Sequence, residues 1–195
     1  MLEFNEEEHR YFDGGVELPS VTTITRFCSV DSKTSAGTNP FYRDRGTLVH
    51  ALCADYDYTG ELSTGTGVDG YLQAYADFVR DYRPQWEWIE HMVGSARQGY
   101  AGTIDRMGTV DGRGCILEIK TSSKVNKLAL TAQLTGYADL TQAVDTVLWG
   151  LQLCKNGTYR VIPVEFDYEV WTSCWILHQM CEIQQREKRR GGQMK

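Results

Sequence analysis

Two neighbouring stretches of this chain carry the residue types best suited to chemistry. Residues 115–120 read Cys-Ile-Leu-Glu-Ile-Lys, and strand alternation puts Leu117 and Ile119 on one face with Glu118 and Lys120 on the other. The preceding run, 100–110, supplies Asp105. A two-residue turn at Asp111-Gly112 would set Asp105 directly opposite Glu118, with Cβ atoms about 4.5–5.5 Å apart. Carboxylates that close repel each other unless a cation stands between them. A hard divalent ion and the Lys120 ammonium would fill that role, and Mg²⁺ favours one or two carboxylates plus water and phosphate oxygens. The hairpin reads as a metal site beside a lysine; the plain alternative is an exposed Glu118–Lys120 pair on a solvated strand.

The surrounding elements must position these groups. Residues 9–19 read as a short hairpin around Asp13-Gly14-Gly15, and Ser20 as the N-cap of a short helix through Phe27. A polar loop over 30–40 precedes a helix capped by Asp44 and running to about Tyr58, with Leu48, Leu52 and Tyr56 at fourfold spacing. A second helix covers about 69–82. The period then shortens: strands are expected near 86–93, 100–110 and 115–121, a helix over 127–143, and a hairpin of 147–154 with 159–164 about Lys155-Asn156-Gly157. An aromatic-rich helix, 167–187, runs into a basic tail, 186–195. Trp171 and Trp175 on that helix read as core. This order predicts one α/β domain over 1–195, with helices flanking a small mixed sheet.

Composition bounds the partners. The 195 residues carry 20 Lys and Arg against 26 Asp and Glu, a net charge of −6 that at face value disfavours nucleic acid. The charge is uneven, however: residues 97–137 hold six bases against three acids, a basic stretch in an acidic frame. No apolar run is long enough to span a membrane. The first residues lack the basic start and apolar core of a signal peptide, and the 6 cysteines contain no C-x-x-C pair. Reduced thiols and a cytoplasmic protein are expected, in a bacterial or phage-infected cell.

Taken together, Arg45-Gly46-Thr47-Leu48-Val49-His50, Gly102-Thr103-Ile104-Asp105, Glu118-Ile119-Lys120 and Gln133-Leu134-Thr135-Gly136-Tyr137 resemble the motifs of the PD-(D/E)XK nuclease superfamily, in its RecB-like and phage-type exonuclease branch. The opening His9-Arg10-Tyr11-Phe12 with Leu18-Pro19-Ser20-Val21-Thr22 is similar to that of many phage members. The resemblance spans about residues 9–140. It implies His50, Asp105 and Glu118 as metal ligands, joined by the Ile119 carbonyl. Lys120 is implied to position and activate the attacking water, and Gln133 with Tyr137 to approach DNA and the active centre. It implies a restriction-endonuclease-like core and one or two Mg²⁺ or Mn²⁺ ions, with an imidazole ligand tilting preference toward Mn²⁺. An iron–sulfur cluster is not expected, because the late cysteines lack the close pair used by cluster-bearing relatives.

Glu90 is a possible further acid, or a solvated strand residue. Arg43, Arg45, Arg106, Ser122, Lys124 and Lys127 are candidates for phosphate contacts, or ordinary surface groups. The implied activity is metal-dependent exonucleolytic hydrolysis of DNA in phage recombination or DNA processing, with a single-strand annealing or binding protein as a possible partner. A structure-specific endonuclease or resolvase on the same core, or a DNA-binding module without catalysis, are the alternatives. The motifs leave oligomeric state and strand preference open.

Overall fold

Asp111 and Gly112 have φ of 50° and 74°, so the expected two-residue turn forms as a type I′ turn, whose twist matches that of a hairpin. It joins β5 (Tyr100–Val110) to β6 (Arg113–Lys120), paired from Val110↔Arg113 to Arg106↔Leu117. The computed structural model describes residues 1–5, 10–29, 40–143 and 145–192. In chain order the other elements are β1 (Leu2–Asn5), β2 (Arg10–Asp13), β3 (Val16–Leu18), α1 (Val21–Thr25), α2 (Pro40–Thr59), α3 (Asp69–Tyr82), β4 (Gln85–Ser95), α4 (Lys127–Thr141), β7 (Val147–Leu153), β8 (Tyr159–Val164) and α5 (Tyr168–Gly192). His9 and the loop expected before Pro40 lie outside the described residues, as do residues 193–195 and the side chains of the basic tail beyond Lys188.

The fold is mixed α/β, as the alternation of periods predicts. The main sheet runs β4-β5-β6-β7-β8, antiparallel throughout except for the parallel pair β6–β7. A parallel neighbour needs a crossover, which α4 provides. Helices α1, α4 and α5 cover one face of the sheet around Ile24, Ile116, Leu130, Leu134 and Trp171. The other face packs Cys115, Leu117 and Ile119 against Val49, Cys53, Leu72 and Phe78 of α2 and α3. The alternation along β6 divides its apolar residues between these two cores. Among the described residues no helix is long and apolar enough to cross a membrane.

Three local expectations change. The N-terminal hairpin gains a third strand, since β1 pairs with β2 from Leu2↔Asp13 to Asn5↔Arg10. Helix α2 starts at Pro40, whose fixed φ suits a first helical position, so Asp44 lies within the helix and does not cap it. On the same helix Val49 and Cys53 are fully buried while Leu48 is 41% exposed. The buried line is therefore shifted by one residue from the one that Leu48 suggested. That rotation turns His50 toward the end of the sheet.

The small sheet β1-β2-β3 docks beside this end. Asp13 Oδ2 accepts the Ala96 amide at 3.0 Å, Pro19 O accepts the Ala101 amide at 3.1 Å, and the Tyr11 hydroxyl meets Thr103 Oγ1 at 2.9 Å. Ser20 caps α1 through the Thr23 amide at 3.0 Å, as its residue type predicts.

Candidate active site

The main sheet is interrupted at Asp105. On one side the β4–β5 pairing passes from Ile89↔Arg106 to His91↔Ile104 and skips Glu90 and Asp105. Glu90 itself has φ of 46°, a left-handed conformation that costs a side-chain-bearing residue about 1–2 kcal/mol. On the other side the β5–β6 pairing ends at Arg106↔Leu117, one position short of the expected Asp105–Glu118 pair. The Ile119 amide instead donates to Asp105 Oδ2 at 2.6 Å. Two strands thus open around one buried carboxylate, and Asp105 and Glu118 both turn into a cavity of about 480 Å³.

Helix α2 brings His50 to the same cavity. His50 Nδ1 lies 3.3 Å from Asp105 Oδ1 and 3.5 Å from Glu90 Oε1. Burial alone would lower the imidazolium pKa, but the Asp105 and Glu90 carboxylates outweigh it and hold it well above its usual value. For Asp105, burial is likewise outweighed by His50, the Ile119 amide and Lys120, which keep the carboxyl below its usual range. Ligand atoms of His50, Glu90 and Asp105 all lie within 4.8 Å of one another.

Glu118 and Lys120 form the second half of the site. Lys120 Nζ donates to Glu118 Oε1 and to Gln133 Oε1, both at 2.9 Å. Gln133 Nε2 donates in turn to the Tyr137 hydroxyl at 3.5 Å, a pair that one helical turn of α4 places on the same face. Burial tends to neutralise Lys120, but the Glu118 carboxylate dominates and the ammonium stays charged. The Glu118 carboxyl is pushed up to about 7, by burial first and by Asp105 second, against the pull of Lys120.

Its second oxygen, Oε2, is buried and has no hydrogen-bond partner. An orphaned buried carboxylate oxygen is costly unless a cation or donor reaches it. With three oxygen and nitrogen ligands already clustered beside it, the donor set fits a hard divalent ion. His50, Glu90 and Asp105 would hold that ion, with the bare Glu118 oxygen at the same cavity.

The remaining candidates divide. Arg106 is not a phosphate contact: it is fully buried, and its guanidinium is enclosed by Asp57, Tyr75 and Glu90. Arg45 Nη2 donates to the Thr121 carbonyl at 3.1 Å and its guanidinium sits over the Tyr71 ring, strapping α2 to the end of β6. Arg43, Lys124 and Lys127 are exposed, with Arg43 Nε 3.6 Å from Asp44. Ser122 Oγ donates to the Lys124 carbonyl at 2.9 Å. Ile119 meets the site through its amide. Trp171 is buried, and an added Cβ on Gly136 would stand 2.8 Å from its ring.

Sequence reasoning missed Asp57, Tyr75 and Tyr11. Asp57 had a signal, because it follows His50 by seven residues, close to two helical turns on one face. Tyr75 had none beyond its place on the helix expected over about 69–82. Tyr11 lines the cavity only because the small sheet docks there.

No family model and no curated protein matches the chain. Among solved structures it is similar to the alkaline exonuclease LHK-Exo of Laribacter hongkongensis, at 14% identity and a TM-score of 0.47, covering 88% of this chain and 93% of that one. It is likewise similar to LHK-Exo in complex with dAMP, at 12% identity and a TM-score of 0.47, covering 91% of this chain and 95% of that one.

Proposed function

We propose that this chain is a metal-dependent deoxyribonuclease that hydrolyses phosphodiester bonds from DNA ends. The observation that carries the reading is the meeting, in one cavity, of the His50–Glu90–Asp105 cluster with a buried Glu118 whose partner is the Lys120 ammonium. Lysine beside clustered acids suits a reaction whose transition state gains negative charge on phosphate.

His50, Glu90 and Asp105 would hold Mg²⁺ or Mn²⁺, with Glu118 and the Ile119 carbonyl as further donors. When bound, such an ion activates water and stabilises charge on the phosphate oxygens. Lys120, fixed by Glu118 and Gln133, orients the attacking water and keeps a positive charge beside the phosphate. Gln133 sets the direction of the Lys120 ammonium, and Tyr137 supports Gln133 from behind. Arg43, Lys124 and Lys127 supply exposed positive charge for the DNA backbone outside the cavity, with Ser122 at the end of the lysine strand. The single domain, a cytoplasmic setting, a role in phage recombination and a single-strand annealing partner complete this reading.

The test is degradation of end-labelled single- and double-stranded DNA, with closed circles as control, under Mg²⁺, Mn²⁺ and EDTA. Loss of labelled ends with either metal, protection of closed circles, and activity lowered by on the order of 100-fold or more for Asp105→Asn or Lys120→Ala are the expected results. Cutting of closed circles would move the reading to an endonuclease. Tight DNA binding without hydrolysis under both metals would overturn it.

A further inference from the structure

Arg106 is fully buried, a rare situation for an arginine, and it joins three elements. Its Nε donates to Asp57 Oδ2 of α2 at 2.6 Å and to the Tyr75 hydroxyl of α3 at 3.2 Å. Its Nη1 donates to Glu90 Oε1 of β4 at 3.0 Å and to the Asp105 carbonyl at 2.6 Å. The Tyr75 hydroxyl completes a clamp on Asp57, lying 2.8 Å from Oδ2.

We propose that Arg106 is a positioning residue of the metal site, which holds the Glu90 carboxylate beside His50 and Asp105 so that Glu90 serves as the third protein ligand. The inference rests on the reading of that cluster as a metal site. Its support is geometric. Glu90 adopts a left-handed backbone where the β4–β5 ladder opens, so its own strand does not dictate where its carboxylate sits. The contacts that direct it are Arg106 Nη1 and His50 Nδ1, at 3.0 and 3.5 Å.

Asp57 and His50 share a face of α2, so clamping Asp57 to Arg106 also fixes how far His50 reaches over Asp105. One guanidinium thereby sets two of the three ligands relative to the third. It also supplies a buried positive charge where Asp57, Glu90 and Asp105 converge. Glu118, held separately by Lys120, stands outside the clamp.

Binding of Mn²⁺ to the full chain, followed by electron paramagnetic resonance of the free ion, tests this without reference to activity. Tyr75→Phe and Asp57→Asn act at positions outside the proposed ligand cluster, and Arg106→Lys keeps the charge while losing the fork. Groups that orient metal ligands typically change affinity by about 10–100-fold. Tyr75→Phe and Asp57→Asn are expected to weaken Mn²⁺ binding within that range, with Arg106→Lys retaining part of the affinity that Arg106→Met loses. Combined with Glu90→Gln, Arg106→Met is expected to lose clearly less than the sum of the two single losses, because the Arg106 Nη1 contact acts through that carboxylate.

Lower thermal stability with unchanged Mn²⁺ affinity in Tyr75→Phe and Asp57→Asn would reduce the clamp to a structural ion pair and overturn the inference. So would full additivity of Arg106→Met with Glu90→Gln. A wild-type chain that binds no Mn²⁺ would instead sink the metal-site reading itself, and the inference with it.

Discussion

The Ile119 amide donates to Asp105 Oδ2 at 2.6 Å, in the place where the next rung of the β5–β6 ladder would stand. Asp105 therefore has a structural oxygen on the backbone and a second oxygen facing His50 at 3.3 Å. The two roles can be separated. An asparagine keeps a carbonyl oxygen for the Ile119 amide but loses the charge that the cluster needs. Asp105→Asn is expected to hold Tm within about 4 °C of wild type, the shift that corresponds to about 1 kcal/mol in a domain of this size. Nuclease activity should fall by on the order of 100-fold or more, beyond the effect of losing a group that merely orients a ligand. Asp105→Ala also strands the buried amide, at a cost of about 1–3 kcal/mol. Thermal melts of both variants check this; equal Tm losses would show that the amide bond contributes nothing.

Metal binding and pH should be linked through Glu118. Its folded-state pKa, about 7, lies above the ordinary carboxylate value because burial and Asp105 disfavour the charge. A group with a raised folded pKa contributes stability that is fully present below its unfolded pKa and is lost as pH rises through its folded pKa. Metal-free protein should therefore lose this contribution between about pH 4.3 and 7. A divalent ion requires deprotonated ligands and so competes with that proton and with the His50 proton. The rise in Tm produced by 1 to 10 mM-range Mg²⁺, roughly the level needed to saturate a weak site, is expected to grow from pH 5.5 to pH 8. Glu118→Gln should flatten part of that increase, and a Tm rise independent of pH would exclude the linkage.

The hairpin, the α4 helix and the pairings of Glu118 with Lys120 and of Gln133 with Tyr137 were legible because each rests on a local rule, whereas the meeting of His50 with Asp105 was implied by the family resemblance alone. Alternation fixes the face of Glu118 and Lys120, an Asp-Gly turn fixes the register, and helical spacing pairs Gln133 with Tyr137. Arg106 was misread for a physical reason. A sequence shows an arginine next to an aspartate but not the acids brought by α2 and β4, which together make burial of a guanidinium tolerable. Glu90 stayed open because its place depends on a left-handed residue inside a strand, which no periodicity announces. The shift of the buried line on α2 from Leu48 to Val49 likewise depends on how that helix settles against α3.

Gly102 offers a test of packing beneath the site. A Cβ added there would stand 2.8 Å from Cε1 of the Tyr137 ring. Tyr137 is itself buried and touches the ammonium only through Gln133. Gly102→Ala should cost about 1–3 kcal/mol, the usual effect of overpacking a core. Because the ring must move, the Gln133–Lys120 contact should loosen and kcat should fall more than KM rises. The combination with Tyr137→Phe leaves the clash in place, whereas Tyr137→Leu should restore most of the lost Tm; steady-state kinetics and melts of the three variants separate these outcomes.

The tyrosines provide a readout of the fold at alkaline pH. Burial raises the pKa of Tyr11, Tyr75, Tyr100 and Tyr137, and the Asp139 carboxylate that accepts the Tyr100 hydroxyl raises that phenol further. A phenol with a raised folded pKa stabilises the fold fully below its unfolded pKa of about 10, and that contribution is lost as pH rises past it. Of the 11 tyrosines, these four should remain un-ionised in the folded chain. The share of the tyrosinate absorbance that belongs to these four rings should therefore appear only together with loss of the far-ultraviolet circular dichroism signal. Tyr100→Phe should shrink the absorbance released on unfolding by one phenol. A single smooth titration of all the tyrosines, with secondary structure intact, would contradict the buried placement of these rings.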